Sequence, residues 1–251
     1  MKNEDNFLVI VTGASRGIGH SILKNLSEMI PFSNPVGIVR GTEFSAILGV
    51  QYEIMDLRFP ENAEEVMERI FSFISPAIEK AVLINCAGVL TPLTRVTDTA
   101  VNELQTTFNV NYHSPVALTA AFLKKTRTEI FKERTVINIT SGAARHPYSG
   151  WNAYCSTKSA LDMFTRVAAM ENDDGKTVIT AVAPGIVETH MQQQIRSSDS
   201  AVFPEKEKFI KLHHNNMLRH PDDVSTQILT LLRDDEFQTG MILDLRDLIA
   251  N

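Results

Sequence analysis

Tyr154 and Lys158 stand four residues apart in the stretch SGAARHPYSGWNAYCSTK, which opens on Ser141. On a helix that spacing puts the phenol and the ammonium on one face. A free phenol titrates near about 10 and a lysine near about 10.4. A neighbouring ammonium favours the phenolate and so draws the phenol toward the range in which it can give up a proton. A serine hydroxyl at a strand end can hold a carbonyl oxygen while negative charge develops on it. The chemistry that needs all three is proton delivery to a carbonyl oxygen as a hydride reaches its carbon. A tyrosine and lysine at this spacing also occur as a plain surface pair, so the reading depends on what surrounds them.

The second group is TGASRGIG, Thr12 to Gly19, directly after the apolar run FLVIV. In an open α/β sheet the first strand-to-helix turn handles phosphate, and glycines there let the backbone turn tightly and approach a pyrophosphate at a helix N-terminus. The spacing of Gly13, Gly17 and Gly19 is G-x-x-x-G-x-G, and taken alone it also suits a turn that only packs helix on strand. The arginines sharpen the reading. The second apolar run ends Gly37-Ile38-Val39-Arg40, where an NAD site usually carries a carboxylate for the ribose hydroxyls. An arginine at that point suits the 2′-phosphate of NADP(H), and Arg16 in the glycine loop can close on the same group. The alternative is two solvated arginines. Glu43 is the counter-argument, placed at the start of a following helix.

These groups need a scaffold, and the chain supplies one. Seven short apolar runs, FLVIVTG, PVGIVR, YEIM, KAVLINCAG, RTVINITS, TVITAVAPG and GMILDL, alternate with longer segments of helical periodicity. That alternation predicts a Rossmann-type doubly wound α/β fold: a seven-stranded, mostly parallel sheet buried on both faces, in a single domain over 1–251. The segment from His190 to His220 is polar and long for a connector, and it is expected to form a substrate lid. With 251 residues and a net charge of −6, nothing points to nucleic acid or an anionic membrane. No basic-then-apolar leader and no run approaching ~18 apolar residues is seen. A soluble, cytoplasmic protein with reduced Cys86 and Cys155 is expected.

Read together, these ordered motifs resemble the short-chain dehydrogenase/reductase family over essentially the whole chain. The matching residues are TGASRGIG, Asp56-Leu57, NCAG at 85–88, Asn111 in FNVNYHSP, Ser141, Tyr154 with Lys158, and PGIVETHM at 184–191. GWNAYCSTKSALDM, APGIVETHMQQ and the tail DEFQTGMILDLRD are similar to the branch of sepiapterin reductases and fungal benzil reductases. The resemblance implies that Tyr154 is the general acid, Lys158 tunes it and bonds the nicotinamide ribose, and Ser141 orients the carbonyl. It implies a proton relay through Asn111, whose alternative is a helix-bend amide that satisfies backbone groups. Gly13, Ser15, Arg16, Gly17, Ile18 and Gly19 would hold the cofactor phosphates. Asp56 with Leu57 would meet the adenine, and Asn85 and Ala87 would line the channel. Pro184, Gly185, Val187, Thr189 and Met191 would wrap the nicotinamide. Cys86, where the family often has asparagine, reads as a packing substitution. A homodimer through the helices carrying Asn111 and Tyr154 is also implied.

The substrate side is less constrained. Gly185 and Trp151 are candidate pocket walls, with simple core as the alternative for Trp151. Asp244 would anchor an amino-pyrimidine ring, or else face solvent or pair with Arg246. His146, near the expected pocket mouth, reads as a surface residue with substrate contact as the alternative, and His213-His214 point to different faces, so no metal is expected. The function expected is NADPH-dependent reduction of a ketone or 1,2-diketone, benzil-like or on a pterin side chain. The alternatives are an alcohol or hydroxysteroid dehydrogenase and a catalytically silent NADP-sensing scaffold. A methyltransferase would want an acid where Arg40 stands.

Overall fold

A computed structural model describes residues 6–75, 78–128 and 130–248. The seven expected strands form: β1 Phe7–Thr12, β2 Asn34–Val39, β3 Gln51–Ile54, β4 Lys80–Asn85, β5 Glu133–Ile139, β6 Thr177–Ala183 and β7 Ile242–Asp244. They build one sheet in the order β3-β2-β1-β4-β5-β6-β7, and every neighbouring pair is parallel. The helices are α1 Gly17–Met29, α2 Ala63–Ser72, α3 Val101–Phe108, α4 Ser114–Thr126, α5 Asn152–Glu171, α6 His190–Ser197, α7 Lys206–His214 and α8 Pro221–Arg233.

Continuous apolar strands are required because both faces are covered. Along β1, Leu8 and Ile10 enter one core with Met67 and Ile70 of α2 and Leu118 and Phe122 of α4. Val9 and Val11, pointing the other way, enter a second core with Ile22 and Leu26 of α1 and Ile228 and Leu229 of α8. Local signals set the helix ends. At α8 the His220 ring nitrogen accepts from the Asp222 N–H, Pro221 fills the first turn, and Arg233 closes the last. The sheet order runs outward in two directions from β1 and β4, which opens a crevice at the carboxyl ends of the strands.

One expectation is corrected. No helix begins at Glu43; residues 41–50 are turns and irregular chain between β2 and β3. Gly41 and Gly49 bracket that stretch, and Phe44 packs on Tyr52 of β3 with ring centroids 4.6 Å apart, so a tertiary contact replaces helical pairing. The segment 190–220 is more structured than its polarity suggests, because it contains α6 and α7. These helices close over a third core in which Phe203, 0% exposed, stacks on Trp151 at 4.9 Å and meets Phe209 at 5.5 Å. The lid is anchored by aromatic side chains spaced too sparsely to give the segment an apolar average.

Candidate active site

Ser141, Tyr154 and Lys158 come together where β5 runs into α5. Ser141 follows β5 by one residue, and its Oγ accepts from the Ala143 N–H at 3.1 Å. That leaves the hydroxyl proton free to point to the Tyr154 phenol, with which Ser141 is hydrogen-bonded. Lys158, 4% exposed, lies one turn along α5; its Nζ donates to the Ile139 carbonyl at 2.8 Å and sits 5.8 Å from the centre of the Tyr154 ring. The start of α5 is pinned from outside. Asn152 Nδ2 donates to the Thr94 carbonyl at 2.9 Å, and a Cβ on Gly150 would lie 2.8 Å from the Val202 carbonyl oxygen. The lid therefore packs directly on the turn that presents Tyr154.

Asn111 lies in a single π-helical turn, Asn109–His113, between α3 and α4. Such a turn leaves i→i−4 groups unpaired and often marks a functional position. The fully buried amide accepts from the Val89 N–H and donates to the Val89 carbonyl, both at 2.8 Å, and donates to Thr157 at 3.2 Å. Asn111 thus stitches the chain after β4 to the bend and to α5. A Cβ on Gly88 would come within 3.5 Å of Asn111 Oδ1 and 3.7 Å of Lys158 Nζ, which brings these groups to one wall.

The opposite wall is the glycine loop. Thr12 Oγ1 accepts from the N–H groups of Cys86 and Ala87, at 2.9 and 3.1 Å. Gly13 has φ +68, and a Cβ there would lie 2.9 Å from Ala87 Cα, so no side chain fits. The Gly19 position is closed by the Gly13 carbonyl at 2.6 Å. Across the crevice a Cβ on Gly17 would touch the Thr189 methyl at 3.4 Å, so the loops after β1 and β6 face each other. Arg16 and Arg40 are both exposed on the strand-tip side.

Comparison with known proteins fits this geometry. The short chain dehydrogenase family profile matches residues 8–200. The chain belongs to the short-chain dehydrogenase/reductase family. It is 37% identical to a Bacillus subtilis benzil reductase ((S)-benzoin forming) over 96% of this chain and 99% of that protein. It is 28% identical to Xenopus laevis sepiapterin reductase, over 96% and 95%. Among solved structures, the KRED1-Pglu enzyme matches with TM-score 0.84 and 27% identity, covering 95% of this chain and all of that one. ElxO with NADP bound matches with TM-score 0.76 and 26% identity, over 95% and 96%. The chain is accordingly an oxidoreductase, and among its described residues no helix is long and apolar enough to cross a membrane.

Within this dehydrogenase several site residues take positions that the sequence did not disclose. Asn85 turns its amide into the layer behind the sheet, donating to Asn138 at 2.9 Å and Thr119 at 3.2 Å. Leu57 lies in the core, and its carbonyl accepts from Ser114 at 2.7 Å. Asp56 is gripped by Arg58, with contacts of 2.6 to 3.1 Å. Ser15 stays in the glycine loop, Ile18 lies in the first turn of α1 against the second core, and Val187 is buried in that same core. Met191 and Trp151 join the lid core, where the Trp151 Nε1 has no partner. Asp244 is buried and paired with Arg246 and Arg145. Cys86 packs beside the second core, and burial pushes its thiol up to about 12.

Arg219 went unnoticed in the sequence. It donates to the Pro184 carbonyl at 3.1 Å and to Gln227 at 2.6 Å, while its backbone pairs with Ile186 and Glu188. It thereby fixes the loop Pro184–Met191. Glu188 in turn binds Arg196 through two contacts and faces His213 Nδ1 at 3.0 Å, which ties that loop to α6 and α7. Arg196, His213 and Arg219 lie in the segment expected as a lid and Glu188 in the motif before it, and their pairings left no signal in spacing.

The electrostatics differ from the sequence expectation. Burial pushes the Tyr154 phenol up to about 12, with the Ser141 hydrogen bond opposing, and burial pulls the Lys158 ammonium down to about 8. The phenol is therefore held as an acid at neutral pH. Lys158 loses its charge through about 8 when folded and through 10.5 at its ordinary value. Between those limits the unfolded chain binds the extra proton, so stability contributed by this group rises with pH. Catalysis that needs the charged lysine should fall through about pH 8 in that same window. Turnover profiles and thermal midpoints for wild type and Lys158→Met would check both signs; turnover independent of pH from 7 to ~9.5 would refute the role given to the ammonium.

Proposed function

We propose that this dehydrogenase is an NADPH-dependent carbonyl reductase that converts a ketone or 1,2-diketone to the corresponding alcohol, with Tyr154 as general acid. The observation that carries this reading is a buried phenol, protonated at neutral pH and hydrogen-bonded to Ser141, with Lys158 one turn behind it. Reduction needs a proton donor, whereas oxidation would need Tyr154 as phenolate, the form that burial disfavours. Ser141 orients the carbonyl oxygen and donates to it as charge develops, and Tyr154 Oη gives its proton to that oxygen. The bound cofactor supplies the hydride that the carbonyl carbon receives. Overall, carbonyl, NADPH and one proton give alcohol and NADP⁺. Lys158 stabilises the phenolate left behind, and solvent returns the proton, with Asn111 placed at the relay wall.

The chain's residues fit that cofactor. The side-chain-free loop of Gly13 and Gly19 opens onto the N-terminus of α1, which favours phosphate. Among the described residues, Arg16 forms no hydrogen bond or ion pair, and Arg40 interacts only at longer range with Asp56. Both are available for a 2′-phosphate, and ElxO, a relative in structure, is a protein with NADP bound. Benzil and sepiapterin reductases among the relatives favour a small carbonyl substrate, and the engagement of Asp244 by two arginines favours a diketone over a pterin. We read the chain 1–251 as one such domain, acting in the cytoplasm, where its two free thiols stay reduced. A homodimer through α4 and α5 is supported by Met163, Val167 and Met170, an exposed apolar stripe along α5.

Three measurements test this reading. Tyr154→Phe keeps the ring but deletes the donor, so it should lose ~10²–10⁴-fold in kcat while still binding NADPH; half of wild-type turnover would defeat the assignment. Replacing Arg16 and Arg40 together should raise KM for NADPH at least ~10²-fold more than KM for NADH, and a wild type that already prefers NADH would defeat it. Light scattering should report a dimer for wild type and a shift toward monomer for Met163→Asp with Val167→Asp. A monomeric wild type would remove the interface.

A further inference from the structure

We propose that Arg145 and Arg246 form a subsite for a carboxylate carried by the carbonyl substrate; this rests on the carbonyl-reductase reading of the neighbouring Tyr154. The starting point is the state of Asp244 at the end of β7, 5% exposed. Its Oδ1 accepts from the Arg246 backbone N–H at 3.1 Å and from Arg246 Nε at 2.9 Å. Its Oδ2 accepts from Arg246 Nη2 at 2.7 Å and from Arg145 Nη2 at 3.2 Å. A carboxylate offers about four lone-pair sites, and all are taken. Asp244 has nothing left with which to hold the amino groups of a heterocycle.

The guanidinium groups are in the opposite condition. Each carries five N–H donors, and the carboxylate uses two side-chain donors of Arg246 and one of Arg145. Their side chains are 54% and 40% exposed. One carboxylate shared between two guanidinium groups leaves unused donors on both, with Asp247 acting on Arg246 and Asp162 on Arg145 from their other sides.

Position connects these donors to the reaction. A Cβ on Gly142 would lie 3.6 Å from Arg246 Nη2, and one on Gly185 would lie 3.3 Å from Arg246 Cγ. Arg246 therefore lies across the loops that follow β5 and β6, one residue from Ser141 on the first and next to Pro184 on the second. Glycine at both points leaves the approach to the guanidinium without a side chain in the way. A carboxylate matches the planar fork of an arginine, so the chemistry recognised is that of an oxo acid. Asp247, in the last turn, acts on Arg246 and Arg219 acts on Asp244, so neighbouring charges of both signs modulate the subsite.

The test compares benzoylformate with its methyl ester, following NADPH oxidation. For wild type, kcat/KM should favour the acid by about tenfold or more at low ionic strength, and added salt should shrink that ratio. Arg246→Leu should lower the acid-to-ester ratio about tenfold. Because this variant leaves a buried carboxylate with fewer partners, Arg145→Leu provides the same readout while removing only one of the four contacts to Asp244. Asp244→Asn should raise the ratio, since it frees donors and removes the competing charge; an Asp244 that holds substrate directly predicts a loss instead. Turnover of the ester with a wild-type ratio near one, or a ratio unmoved by Arg145→Leu, overturns the subsite while leaving the reductase intact. Turnover of neither compound by protein that binds NADPH overturns the reductase reading as well.

Discussion

A lysine ammonium buried at the end of a parallel sheet constrains everything around it. Lys158 is almost fully enclosed, and a buried cation without partners costs several kcal/mol. The chain offsets this with the Ile139 carbonyl and with Asp162, which lies one turn further along α5 and acts on Lys158 electrostatically. Asp162 is itself pushed up by burial and receives the Thr140 hydroxyl proton. The result is a register between strand end and helix. Ile139 engages Lys158, Thr140 engages Asp162 and Ser141 engages Tyr154. Three consecutive residues of one element are fastened to three positions four apart on the other, so the phenol cannot shift without breaking a buried polar contact.

The same register explains what was readable from sequence. Alternating apolar strands and periodic helices leave few arrangements, and the seven runs became the seven strands of the sheet because burial on both faces forces that composition. The glycine loop was legible for a similarly local reason. Gly13 and Gly19 stand where a Cβ would collide with backbone, so the residue type is dictated by a contact close at hand. The helix expected at Glu43 does not form, because Phe44 packs on the Tyr52 ring and the chain follows an irregular path there. Tyr154 misled on charge: spacing brings Lys158 near, but desolvation, invisible in a sequence, raises the phenol.

The substrate end was hard to read because its partnerships are distant. Arg145 meets Asp244 across 99 positions, and Arg219 meets the Pro184 carbonyl across 35. No periodicity or spacing reports such pairs. The lid was obscured in another way. Its fold depends on Phe203 and Phe209 meeting Trp151, while most of the segment is solvated, so its composition resembles a loop. Aromatic contacts are large enough that a few can order a polar stretch.

The two ends of the crevice therefore obey different rules. At the cofactor end the constraint is on backbone approach, which fixes residue type position by position and tolerates little change. At the substrate end the constraint is on charge balance and on how three loops and two helices meet, and many side-chain sets satisfy it. Relatives named for different carbonyl compounds match over nearly the whole chain, at 37% and 28% identity. Arg246 sets what its neighbour Asp244 can do. Asp244 offers acceptors when it stands alone; saturated by two arginines, it offers none, and its partners present donors in its place. Specificity can turn over in this way without moving the proton donor, because the strand-end register that holds Tyr154 lies on β5 and α5 and does not involve β7.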